Sequence, residues 1–153
     1  MKNKLIILLS LLFNTVLFAE NIFIESKNIS IDKNKELSIF KNEVFIRTEE
    51  NNTIKSEYAE YDKTKGFIKV EKNVIAKDKQ NNIIETQYAE YDEIKKIFKS
   101  IGPTKVITTE KYIIEGTNIV FDNNKNHISS NEKTIITDQD NNKIYLDNFS
   151  YLT

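Results

Sequence analysis

"SEYAEYD" at residues 56–62 returns as "TQYAEYD" at residues 86–92, thirty positions further on. A chain that spells one phrase twice at a fixed distance carries an internal repeat, and the test is whether other columns keep that spacing. They do. Asp32, Asp62, Asp92 and Asp122 stand thirty apart, as do Ile24, Ile54, Ile84, Ile114 and Ile144. Ile31, Tyr61, Tyr91, Phe121 and Tyr151 form a third column, and Ile29, Ala59, Ala89, Ile119 and Phe149 a fourth. Lys35, Lys65, Lys95 and Lys125 follow the aspartates at a constant distance. A composition rich in Lys, Asn and Ile yields one such column by chance, but not several in register.

Within a unit the apolar residues alternate. "IKSEYAEYD" (54–62) puts Lys55, Glu57, Ala59 and Tyr61 on one side of an extended strand and Ile54, Ser56, Tyr58 and Glu60 on the other. "GFIKV" and "NVIAKD" alternate in the same way. Short β-branched or aromatic runs, parted by polar turns every eight to twelve residues or so, argue for strands over helices. The economical reading is all-β, with three short strands per unit, most of about five to seven residues.

The punctuation agrees. Asp-x-x-Lys, as in "DKTK" and "DNNK", places a carboxylate where it can accept from backbone amides at the start of a β-turn. Asn51–Asn52, Asn81–Asn82 and Asn141–Asn142 suit the positive φ of tight hairpins. The third unit has Lys111–Tyr112 instead and the only Gly-Pro, Gly102–Pro103, so a longer or differently shaped hairpin is expected there.

Stacking such units sets each column above the last. The Ile29 and Ile31 series become two apolar stripes. Further stripes run through Ser38, Ile68, Phe98 and Ile128, and through Phe40, Val70, Ser100 and Ser130. The later strands add Val44, Val74, Thr104 and Thr134, then Ile46, Ala76, Val106 and Ile136. The result is a continuous apolar lining, which is either the closed core of a repeat protein or an open trough for something greasy. Periodicity fits both.

Ahead of the repeat, "MKNKLIILLSLLFNTVLFAE" has a basic start (Lys2, Lys4), an apolar stretch from Leu5 to Phe13 and a small residue at Ala19. That is the pattern of a signal peptide, residues 1–19, cleaved after Ala19, and residues 20–153 then form one domain. The apolar run is broken by Ser10 and Asn14 and is short for a span of about 20 residues. Charge is near balance, −1 overall with Arg47 the single arginine, which argues against nucleic acid as a partner. With no cysteine, packing or a partner holds the exported chain.

Catalytic constellations do not emerge, and an enzyme is not expected. His127 takes a repeat position held elsewhere by Leu37, Phe67 and Ile97, and no His/Cys set suits a metal. Glu60, Asp62, Glu90 and Asp92 are paired carboxylates of the kind glycoside chemistry uses, but their recurrence at turns points to structural duty. A transmembrane barrel needs strands of about nine to eleven residues, longer than those expected here.

The apolar-x-Tyr/Phe-Asp pattern with its short turn, "FIKVEKNVIAKD" and "NNIIETQYAEYD" resembles the OstA-like repeat of the lipopolysaccharide-transport family. That family includes periplasmic bridge proteins of the LptA type and the periplasmic N-terminal domain of LptD-type translocons. The resemblance covers about Ile22 to Thr153. It implies an open twisted β-jellyroll of about four such repeats of short antiparallel strands, located in the periplasm and associated with the outer membrane. It further implies lipopolysaccharide as ligand, its lipid A acyl chains lying in the groove, and other jellyroll modules as partners through edge-to-edge strand pairing. On this chain the groove would be lined by Ile29, Ile31, Ala59, Tyr61, Ile68, Val70, Val74, Ala89, Tyr91, Phe98, Val106, Ile119, Phe121, Ile128, Ile136, Phe149 and Tyr151. No cofactor or metal is implied.

The physics suits such a role. Each methylene kept from water is worth about 0.8 kcal/mol, so a bare tail of about a dozen carbons meets a barrier near 10 kcal/mol in crossing an aqueous compartment. The recurring lysines are read as solvated turn residues, with phosphate contact as the other possibility. "YLDNFSYLT" matches the first strand of a fifth unit. It fits either a bridge module that joins its like through an open edge or the front of an LptD-type protein. The alternative is a structural or adhesive β-repeat protein without lipid cargo.

Overall fold

The computed structural model describes residues 22–152, and the expected signal segment lies outside them. β-Branched and aromatic residues in alternation give thirteen strands, paired antiparallel throughout. The long ones are β3 (Leu37–Thr48), β4 (Thr53–Asp62), β5 (Phe67–Lys77), β6 (Ile83–Asp92) and β7 (Ile97–Ile107). Before them come β1 (Ile22–Glu25) and β2 (Asn28–Asp32). After them come β8 (Ile113–Thr117), β9 (Val120–Asp122), β10 (His127–Ser130), β11 (Thr134–Thr137), β12 (Lys143–Leu146) and β13 (Phe149–Leu152).

The three short strands expected per unit are in fact two long ones, of 10 to 12 residues across β3 to β7. Each is broken by a β-bulge in mid-course: the register shifts between Lys41 and Val44, Lys55 and Tyr58, Glu71 and Val74, and Thr86 and Tyr88. β4 and β6 change inward phase there, whereas β3, β5 and β7 take up two residues at the bend and keep theirs, with Phe40 and Val44, Val70 and Val74, and Ser100 and Thr104 all buried. The sides assigned to residues 54–62 are therefore corrected. Ile54 and Ser56 face inward before the bulge, and Ala59 and Tyr61 after it, while Lys55 and Glu57 face water.

On the odd-numbered strands the bend sits on positive-φ backbone, at Asn42 and Glu43, at Lys72 and Asn73, and at Gly102. Gly102 has a φ of +84° with open space where a Cβ would be, so it is the backbone, not crowding, that favours glycine there. Hydroxyls take up polar groups at the bends. Ser56 donates to the Tyr58 carbonyl at 3.0 Å, Thr104 to that of Gly102 at 3.0 Å, and Thr134 to that of Glu132 at 2.9 Å.

Bending every long strand at the same height makes two layers from one sheet. The first holds β2, the 37–41, 58–62, 67–71, 88–92 and 97–101 halves of the long strands, then β9, β10 and β13. The second holds β1, the opposite halves, then β8, β11 and β12. Their facing sides share one apolar core. The outer faces carry Lys55, Glu57, Lys69, Glu85 and Lys99, exposed. Strand length thus does not argue against a membrane barrel, as the shorter strands expected from sequence would have. The inside-out polarity does.

Both families of turns follow the repeat. Asp62 and Asp92 Oδ1 accept from the amides of Lys65 and Lys95 at 3.1 and 2.9 Å. Asn51, Asn81 and Asn141 have φ of 64°, 72° and 64°. The hairpin of the third unit is not differently shaped. Lys111 has a φ of 64°, and its amide donates to Thr108 O at 2.9 Å, matching Asn51 to Thr48 O at 3.0 Å. The Gly-Pro irregularity is absorbed at the bulge.

Candidate functional site

The columns named from sequence meet in the space between the layers. Ala59, Ile68, Val70, Val74, Ala89, Tyr91, Phe98, Val106, Ile119, Phe121, Ile128 and Phe149 are buried in one cluster, with Tyr61, Ile136 and Tyr151 packed against it. Ile29 and Ile31 are instead 58% and 59% exposed. Residual space in the middle is about 20 Å³, between Ile54, Ala76 and Ile84 of the second layer and Tyr91, Phe98 and Phe121 of the first. Ligand pockets run to about 300–1,000 Å³. In the middle, then, the apolar lining is a closed core.

The ends differ. At the N-terminal end a cleft of about 620 Å³ opens between β1 and β2, lined by Ile22, Ile24, Ile29, Ile31, Phe40 and Tyr61, with Lys33, Glu36 and Lys63 at its rim. The same columns are covered further along: Ala59 is fully buried where Ile29 is exposed. At the other end Ile144 is 53% exposed, against 2% for Ile54 in the same column. β1 and β2 lie at one edge of the sheet, β12 and β13 at the other, and each keeps one side unpaired by the other described strands.

Twist places these openings. The free side of the sandwich is a seam where turns of one layer meet turns of the other, offset along the chain. Lys96 Nζ lies 2.8 Å from Glu50 Oε1 and 3.4 Å from Glu49 Oε2, and Tyr91 OH lies 3.4 Å from Glu50 Oε2. Gln80 Nε2 donates to Asn126 Oδ1 at 3.2 Å, and Tyr151 OH to Glu110 Oε2 at 2.8 Å. Glu50 is the first of these crossings among the described residues. The first-layer turns that precede Tyr91, at 32–37 and 62–67, therefore overhang the cleft.

Charge at the seam is mutually held. Partial burial works to raise the Glu50 carboxyl, but the hydrogen bond and charge of Lys96, with hydrogen bonds from the Glu50 backbone and Thr48, together keep it below the usual range. Burial likewise opposes the charge on Lys96, which Glu50 and Glu49 more than restore, holding the amine above its ordinary value. Burial, then the Glu50 carboxylate, pushes the Tyr91 phenol up, so it stays a neutral donor. These seam residues escaped sequence reading although Glu50, Gln80 and Glu110 stand thirty apart, because polar turn residues look alike until a partner is known.

The recurring lysines are engaged in their own turns. Lys65 and Lys95 lie 2.8 and 2.9 Å from Asp62 and Asp92, and Lys125 lies 3.1 Å from Asp122. The hydrogen bond from lysine holds the Asp62 and Asp92 carboxyls below their ordinary range. These ammonium groups stay mostly exposed, and such pairs contribute little to stability. On the first layer's outer face the hydrogen bond to Glu60 pushes the Tyr58 phenol up to about 12. His127 Nε2 lies 2.6 Å from Ser150 Oγ between β10 and β13.

No family model matches the sequence, and no curated protein matches it. Solved structures do. LptH, described as the LptA-homologous periplasmic component of the lipopolysaccharide transport device of Pseudomonas aeruginosa, aligns with a TM-score of 0.59 at 16% identity. The alignment covers 66% of this chain and 75% of that one. The chain has the fold of that protein, a twisted β-jellyroll with both edges of its sheet open.

Proposed function

We propose that the chain belongs to the OstA-like lipopolysaccharide-transport family. In this reading it is a periplasmic module that shields lipid A acyl chains on their way to the outer membrane. The observation that carries the reading is the cleft of about 620 Å³ at the N-terminal end of a jellyroll shared with LptH, with Ile22, Ile24, Ile29, Ile31, Phe40 and Tyr61 on its walls. An acyl tail laid against Ile29, Ile31 and Tyr61 leaves water, at a gain of about 0.8 kcal/mol per methylene. Lys33 and Lys63 at the rim suit an anionic head that stays outside. The remaining groove positions named from sequence would line the same path further along the trough.

Open strand edges at both ends support a second part of the same reading. Edge strands β1 and β2 on one side, and β12 and β13 on the other, can be extended by strands of another jellyroll module, in a bridge or at the front of an LptD-type translocon. Residues 1–19 would direct export, and residues 20–153 would be the module.

A photo-reactive residue at Tyr61, which lines the cleft, is expected to cross-link lipopolysaccharide in cells. The same residue at Tyr58, on the outer face of the same strand, is expected to capture none. Absence of lipid at Tyr61 would contradict the transport reading and leave the fold untouched.

A further inference from the structure

The seam has a chemistry of its own. The residue reaching across is Glu50, Gln80 or Glu110, thirty apart, and the residue facing it 41 positions later is Tyr91, Phe121 or Tyr151. Where the ring carries a hydroxyl, at Tyr91 and Tyr151, the partner is a glutamate that accepts from it. Where the ring is Phe121, the partner is Gln80, which reaches Asn126 instead. Lys96, thirty positions before Asn126, takes the other oxygen of Glu50. The matching of acceptor to donor, rung by rung, marks the seam as a built contact between the layers.

We propose that this seam is a zipper that holds the middle of the trough shut, and that lipid tails enter the middle only when its rungs part. This rests on the lipid-carrier reading and names the path by which the cargo is admitted. Two observations support it besides the rungs. The interior beneath the seam retains about 20 Å³, so a tail can lie there only if the layers separate. Opposite the seam, the positive-φ bends at Asn42, Glu43, Lys72, Asn73 and Gly102 form the line about which the layers can move.

The test uses thiols, since the chain has none of its own. Gln80→Cys with Asn126→Cys is bridged by dibromobimane, and uptake of fluorescently labelled lipopolysaccharide is followed before and after. Lys69→Cys with Glu90→Cys, a cross-strand pair within the first layer, receives the same reagent as a control. The expected result is uptake lost on bridging the seam and kept on bridging the control. Lys96→Glu, which sets like charges across the first rung, is expected to speed uptake about threefold. Undiminished uptake by the bridged seam overturns the inference and leaves the carrier reading standing. If the unmodified chain takes up no lipopolysaccharide, the carrier reading fails and the inference falls with it.

Discussion

An Ala59→Asp chain is expected to lose its cooperative fold. Ala59 is fully buried between Phe40 of β3 and Val70 of β5, its cross-strand neighbours on either side. A carboxylate there has no cation among the described residues of the core, a cluster that includes Phe40, Ile68, Val70 and Ala89. An uncompensated buried charge costs about 3–5 kcal/mol, against a whole-domain stability of about 5–15 kcal/mol. At about 2–4 °C per kcal/mol for a chain of this size, thermal melting by circular dichroism should fall by about 6–20 °C or vanish. A melting point within about 2 °C of the parent would mean that the middle of the trough is not a packed core. For the same reason, lipid capture lost in this variant would report unfolding and say nothing of cargo.

The mouth allows the separate test. Ile29→Glu with Ile31→Glu changes two side chains already more than half in water, so folding stability should move by no more than about 0.5 kcal/mol per site. Lipid capture should collapse. Each isoleucine that a tail covers is worth about 1.5–3 kcal/mol. Losing both, and placing carboxylates near an anionic cargo, should weaken binding at least about 100-fold. Titration with labelled lipopolysaccharide, beside a denaturant melt of the same sample, reads both quantities. Unchanged affinity with unchanged stability would remove the mouth from the binding site.

What the sequence disclosed, and what it hid, divides along the physics of the repeat. Columns such as Ala59, Ala89 and Ile119 were legible because stacking forces the same position into the same environment. The Asp-x-x-Lys and Asn-Asn turns were legible because their hydrogen bonds are local. The bulge at residues 56–58 was not, since inward phase simply restarts after it and an alternation read across it assigns Ile54 and Ala59 to opposite faces. The bend between Glu71 and Val74 was hidden too, so β5 looked like two short strands, "GFIKV" and "NVIAKD".

The candidate site was legible in its lining and not in its openness. Ile29 and Ala59 share a column, yet one is exposed and the other buried, because at the edge of the sheet no further rung among the described residues covers Ile29. Exposure at an end depends on how many units stack and how far the layers twist, which no single column records. The seam was invisible for the related reason that Glu50 meets Tyr91 and Lys96 only through that twist.

The central claim is that acyl chains lie between the layers, and one measurement addresses it directly. The chain has no tryptophan, so Ile31→Trp places a single, selectively excited indole inside the mouth, while Phe23→Trp places one on the outer side of neighbouring β1, where Arg47 covers the Phe23 ring at 5.2 Å. Titration with lipid brominated along its acyl chains should quench the emission of the first and leave the second bright. Equal quenching of both, or of neither, would contradict the account.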